Sequence, residues 1–134
     1  MRIGFFPNMG KSTIMAVLKM AAHICREEQI EVYLPDDLER PDTYKVLQIA
    51  KDHVLPRPEI FKHIDVAFSF GGDGTIIHLA RQIFSYNIPV CGINLGELGF
   101  LNQIEVHQLQ SHIKRVAQGD YTIEKRGHLH ACID

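Results

Sequence analysis

The stretch Ser69-Phe70-Gly71-Gly72-Asp73-Gly74-Thr75-Ile76-Ile77 sets a carboxylate inside a glycine loop, between an apolar run and an amphipathic one. Two consecutive glycines at the end of a strand let the backbone turn sharply and approach a bulky anion with no Cβ in the way. Gly74 keeps the far side open, and Thr75 is placed to cap the next helix, whose N-terminus favours negative charge. The backbone therefore suits phosphate, whereas Asp73 opposes it by like-charge repulsion. A carboxylate in that position can accept the proton of an attacking hydroxyl or help hold a nucleotide-bound Mg²⁺. The same residues also suit a tight turn without chemistry, since Asp is a common turn residue. Residue types alone leave both readings open.

A second stretch, Gly4-Phe5-Phe6-Pro7-Asn8-Met9-Gly10-Lys11-Ser12-Thr13, is a near miss to the G-x-x-x-x-G-K-[ST] phosphate loop. The nearest upstream glycine is Gly4, which makes the loop one residue too long. Pro7 removes a backbone donor from the middle of what would be a cradle of N–H groups. Elsewhere, His128 and His130 share one face of a strand-like run, but no third ligand is evident and ordinary strand positions are preferred to a metal site.

These loops need elements to hold them. Arg2 to Pro7 is a short apolar run ending at a Pro-Asn turn, read as a buried strand. From Thr13 to Glu28, apolar residues recur at helical spacing, with Ser12 as N-cap. Residues 30–35 form a strand stopped by Pro35, and a helix is expected over Tyr44 to Asp52. Buried strands are expected over 63–70 and 88–94, with a helix over 75–84 between them. Leu98 to Ile104 reads as irregular, 105–119 as a helix closed by Gly119, and the last residues as a strand or hairpin. The hairpin is expected to open a second domain, or to pair with this chain's own sheet or with a partner.

Apolar strands alternating with helices predict an α/β fold with a parallel sheet covered on both faces, whose strand-end loops form the binding edge. The 134 residues, 46% hydrophobic and 22% charged, suffice for one domain with a real core. A net charge of −2 supplies no broad basic field, so neither nucleic acid nor an anionic membrane is expected as partner. No apolar run approaches the ~18 residues of a membrane span, and a cytoplasmic location is expected. Cys25, Cys91 and Cys132 lack any C-x-x-C pair and are expected to pack as small buried hydrophobes.

Phe70 to Arg81 (FGGDGTIIHLAR) resembles the Gly-Gly-Asp-Gly-Thr signature of a kinase superfamily that includes NAD kinases, diacylglycerol and sphingosine kinases and, more distantly, phosphofructokinases. Gly92 to Leu101 (GINLGELGFL) resembles the NAD kinase family in particular, as do RIGFFPN at the start and YTIEKRGHL near the end. The resemblance implies a Rossmann-like α/β nucleotide-binding domain over residues 1–103, a connecting helix over 104–119, and the first strands of an incomplete β domain over 120–134. It implies phosphoryl transfer from ATP or polyphosphate to the 2′-hydroxyl of the adenosine ribose of NAD, with Mg²⁺ or another divalent ion accompanying the nucleotide. It also implies a homo-oligomer for the full-length protein.

Asp73 becomes the expected general base, since an alcohol nucleophile must lose its proton. Residue matching places Asp73 and Gly74 against NAD, with Leu98 and Phe100 at its adenine. His78 lies where family members carry a polar group near the dinucleotide. Gly71, Gly72 and Thr75 shape the phosphate side, while Asn8 and Lys11 assist the ATP phosphates. Asn94 is expected to fix a turn, and Glu97 and Arg81 to be solvated charges. The family's β-rich domain, with the rest of the NAD site, lies outside this sequence, so the chain alone is expected to have little activity. The alternatives are a lipid kinase of the same superfamily and a non-catalytic nucleotide-binding module.

Overall fold

Residues 1–96, 103–126 and 129–133 are described in the computed structural model of the chain, with side chains described within 1–96 and 104–121. The first half runs β1 (Arg2–Pro7), α1 (Ile14–Glu27), β2 (Glu31–Pro35), α2 (Thr43–Val46), β3 (Val54–Leu55) and α3 (Arg57–Phe61). The second runs β4 (Val66–Gly71), α4 (Asp73–Ile83), β5 (Val90–Asn94), β6 (Gln103–Glu105), α5 (Leu109–Ala117), β7 (Thr122–Arg126) and β8 (Leu129–Ile133).

The sheet order is β3-β2-β1-β4-β5-β8-β7, with β6 also pairing β5. Strands β1 to β6 pair in parallel, as the apolar runs predict, and β8 runs parallel to β5 through Val90↔Ala131. The terminal residues form the expected hairpin, β7 antiparallel to β8, and it joins this chain's own sheet.

Adjacent residues of a strand face opposite sides, so the apolar strands feed two cores. On one side Ile3, Phe5, Phe68 and Phe70 pack with α1 and with Leu109, Ile113 and Val116 of α5. On the other, Phe6 and Ala67 pack with Ile60 and Phe61 of α3 and with Ile76, Leu79 and Ile83 of α4. Phe5 stacks on Phe68 at 6.1 Å and meets Phe70 edge-on at 5.0 Å, which locks β1 to β4.

Four local expectations are corrected. The N-cap of α1 is Thr13 rather than Ser12, because the Ile14 N–H is already taken by the Lys11 carbonyl at 3.2 Å and the loop runs one residue further. The helix expected over 44–52 stops at Val46. There Gln48 turns left-handed at φ 57°, and Arg26 of α1 donates to the Leu47 carbonyl at 2.7 Å. Strand β3 and helix α3 were not foreseen, being too short for a periodic pattern, and β6 begins in the stretch read as irregular and ends on Glu105, the first residue of the helix expected over 105–119. Helix α4 begins at Asp73 instead of Thr75, with consequences for the site. The helix expected over 105–119 forms as a 3₁₀ turn at Val106–Gln108 leading into α5. A capping box between Glu105 and Gln108 opens it, and Gly119 follows it at φ 72°.

Cys25 and Cys91 are buried, as expected; the side chain of Cys132 lies outside the described residues. Burial pushes the Cys25 thiol up to about 12, with Arg26 pulling it down and Glu28 raising it. The folded state then keeps this proton where the unfolded chain releases it, so stability is full below the unfolded value near 9 and falls as pH rises toward 12. Urea titrations in the alkaline range should show unfolding free energy declining by up to about 1.4 kcal/mol per pH unit from this group. Cys25→Ala should flatten that slope; an unchanged slope would remove the thiol as its source.

Candidate active site

The strand order reverses between β1 and β4, and in such sheets the crevice beyond the strand ends at that point is where ligands bind. Both loops singled out in the sequence open there. Pro7 pairs with Phe70, and the Asn8 N–H donates to the Phe70 carbonyl at 2.9 Å, so the loop after β1 lies against the glycine loop after β4. The loop after β5 closes the third side: Gly71 pairs with Asn94, and the Leu95 N–H donates to the Gly71 carbonyl at 3.2 Å.

The glycines of the motif do different work. A Cβ on Gly71 would lie 2.3 Å from Thr75 Oγ1, 2.9 Å from Thr75 Cβ and 3.3 Å from Asn8 Cβ. Its glycine is required by protein packing alone. Among the described residues a Cβ on Gly72 or Gly74 would meet nothing within 4 Å, so these two border open space there.

Gly72 is the extended residue that caps α4, and its carbonyl accepts from the N–H groups of Thr75 at 3.2 Å and Ile76 at 3.3 Å. Thr75 is therefore inside the first turn and does not cap it; its hydroxyl packs down on Gly71. Asp73 is the first helical residue. A carboxylate there is stabilised by the positive end of α4, an interaction typically worth about 0.3–1 kcal/mol. That placement offsets part of the repulsion the sequence suggests. The first residues of a helix turn their N–H groups toward its N-terminal end, which here lies at the crevice and suits an anion.

The other two loops are built by Asn turns. Asn8 Oδ1 accepts from the Gly10 N–H at 3.0 Å, and Asn94 Oδ1 accepts from the Gly96 N–H at 3.2 Å, the turn-fixing role expected of Asn94. Lys11, half-buried, follows in the first loop, its N–H donating to the Asn8 carbonyl at 3.3 Å. His78 is exposed one turn along α4 from Gly74, and Arg81 is exposed as expected.

Residues 3–121 match the family model described as ATP-NAD kinase N-terminal domain. The chain belongs to the NAD kinase family. It is 32% identical over 134 residues to the NAD kinase of Natranaerobius thermophilus, covering 98% of this chain and 44% of that protein. It is 34% identical over 125 residues to the NAD kinase of a Marinomonas species, covering 93% of this chain and 41% of that one. The chain thus spans less than half the length of these relatives. Among solved structures, yeast NADH kinase complexed with NADH superposes with a TM-score of 0.70 at 19% identity, over 93% of this chain and 40% of that one. That likeness is one of fold.

Of the residues expected in the family's site, Asn8, Gly71 and Thr75 are brought into contact, with Gly72, Asp73 and Gly74 contiguous to them. Leu98 and Phe100, with Glu97 and His128, lie outside the described residues, as does the side chain of His130. Sequence reasoning missed the contribution of Leu95, whose backbone alone ties β5 to Gly71. It also missed Arg57, which donates to Asp37 at 2.9 and 3.2 Å and to Gln82 Oε1 at 3.2 Å. A main-chain contact leaves no residue-type signal, and Arg57 is far in sequence from both partners.

Proposed function

We propose that this chain is the motif-bearing N-terminal part of an enzyme that transfers the terminal phosphoryl group of ATP, or of polyphosphate, to the 2′-hydroxyl of the adenosine ribose of NAD, giving NADP. The observation that carries the reading is Asp73 at the first position of α4, beside the place where the loops after β1, β4 and β5 meet, in a chain of this family. In the step, the ribose oxygen bonds to the terminal phosphorus as the bond from that phosphorus to the donor's bridging oxygen breaks. The hydroxyl proton passes to the Asp73 carboxylate, and the shortened donor leaves.

Gly71, Gly72 and Thr75 shape the phosphate side, and Asn8 and Lys11 assist the donor phosphates. Asp73, Gly74, His78, Leu98 and Phe100 contact NAD. Among the described residues no three His, Cys, Asp or Glu side chains gather into a metal-binding group. A carboxylate at the start of α4, beside the open space at Gly72 and Gly74, fits a Mg²⁺ that would arrive with its nucleotide. When bound, that ion neutralises charge on the transferring group; Asp73 is the residue that would reach it.

Residues 120–134 are proposed to open a β-rich domain carrying the rest of the NAD site. The enzyme is proposed to be cytoplasmic and a homo-oligomer; among the described residues no helix is long and apolar enough to cross a membrane.

The full-length gene product should form NADP from NAD, ATP and Mg²⁺ in a coupled assay. Phosphorylation of a lipid without NADP would overturn the reading, and turnover of neither would leave a binding module. Lys11→Ala should raise the Michaelis constant for ATP severalfold, about 1 kcal/mol for one solvent-accessible phosphate contact, with kcat little changed. An unchanged constant would remove Lys11 from the donor site.

A further inference from the structure

Gly74, His78 and Gln82 follow one another at helical spacing along one face of α4. His78 is exposed one turn along α4 from Gly74, the residue whose missing Cβ borders open space among the described residues. Behind His78 runs a chain of polar contacts: Gln82 Nε2 lies 3.3 Å from His78 Nε2, and Gln82 Oε1 lies 3.2 Å from Arg57 Nη1. Arg57 is held in turn by two hydrogen bonds to Asp37, at 2.9 and 3.2 Å, and its guanidinium lies 5.6 Å over the buried Phe6 ring of β1.

The direction of this chain follows from chemistry. Arg has donors only, so the amide oxygen of Gln82 must face it and the amide NH₂ must face His78. An NH₂ donor requires His78 Nε2 to accept, which leaves the ring proton on Nδ1. Free histidine favours the opposite tautomer.

We propose that Asp37, Arg57 and Gln82 are positioning residues that hold the His78 ring with its proton on Nδ1, one turn along α4 from Gly74, selecting an acceptor oxygen of the nucleotide at that position. The proposal rests on the reading of His78 as an NAD contact. It deepens that reading by naming the ring atom presented to the ligand and the residues that fix it. Arg57 serves as the anchor because it joins three elements: the loop after β2 through Asp37, β1 through Phe6, and α4 through Gln82.

Histidine-selective nitrogen NMR on the full-length gene product at about pH 8, above the ordinary histidine value of about 6.5, reads the tautomer directly. His78→Asn assigns the signal. The wild type should show His78 protonated on Nδ1. Gln82→Glu keeps an acceptor for Arg57 but replaces the NH₂ facing His78 with a carboxylate oxygen, and should move the proton to Nε2. Gln82→Met, of similar length, should let the ring return to the free mixture. Both variants should raise the Michaelis constant for NAD about threefold or more while leaving kcat within about twofold. A wild-type ring protonated on Nε2 would overturn the relay itself. A tautomer that switches as expected with no change in the NAD constant would instead overturn the contact between His78 and the nucleotide, and with it the positioning role.

Discussion

Asp73→Asn in the full-length gene product should lower kcat for NADP formation by about 10²–10⁴-fold, the range typical of losing a positioned general base. Asn keeps the size of the side chain and its place at the start of α4 while removing the proton acceptor. The loss of helix-dipole stabilisation is about 0.3–1 kcal/mol, too small to unfold a domain with two well-filled cores. The measurement is therefore paired: steady-state kinetics beside a thermal melt. A melt within a few degrees and a collapsed kcat support the role of Asp73. A kcat within about threefold of wild type would exclude it as the base.

Gly71→Ala and Gly74→Ala should move stability in opposite directions. At Gly71 the new methyl would press on Thr75 Oγ1 and Cβ and on Asn8, and the backbone cannot yield, because β4 is paired with β1 on one side and with β5 on the other. Overpacking of this kind costs about 1–3 kcal/mol. Adding Thr75→Ala should recover only part of it, since the Cβ of residue 75 stays close. At Gly74, inside α4 and beside open space, Ala should raise stability by about 0.5–1 kcal/mol, because Gly is the poorer helix former. Activity should nonetheless fall at Gly74, as the methyl enters the space assigned to the nucleotide. Full activity in Gly74→Ala would mean the ligand does not use that space.

Much of this molecule is legible in its residue order. The strands at 2–7, 31–35, 66–71 and 90–94 announce themselves because each is apolar on both faces, which only a doubly covered parallel sheet requires. Helix α1 is legible because Ile14, Val17, Leu18, Ala21 and Cys25 repeat at its period over several turns. Short pieces escaped for the same reason: β3 and α3 are too brief to carry a period, and the early end of α2 is decided by the Arg26 bond to Leu47, a residue 21 positions away.

At the site, the glycine loop and Asp73 could be found from types and spacing alone, because a carboxylate among glycines at a strand end is an unusual local arrangement. Their assignment among chemistries was not local. Sequence by itself determined the alternating α/β plan, the family motif and the candidate base. Only the tertiary structure decided that the loop after β1 lies against the glycine loop, since that depends on a strand order reversing between β1 and β4 across 63 residues of chain. It also decided that Gly71 is glycine for packing while Gly72 and Gly74 face open space, and that Asp73 opens its helix. Contacts and emptiness are properties of chains brought together, and they leave no mark in the order of residues.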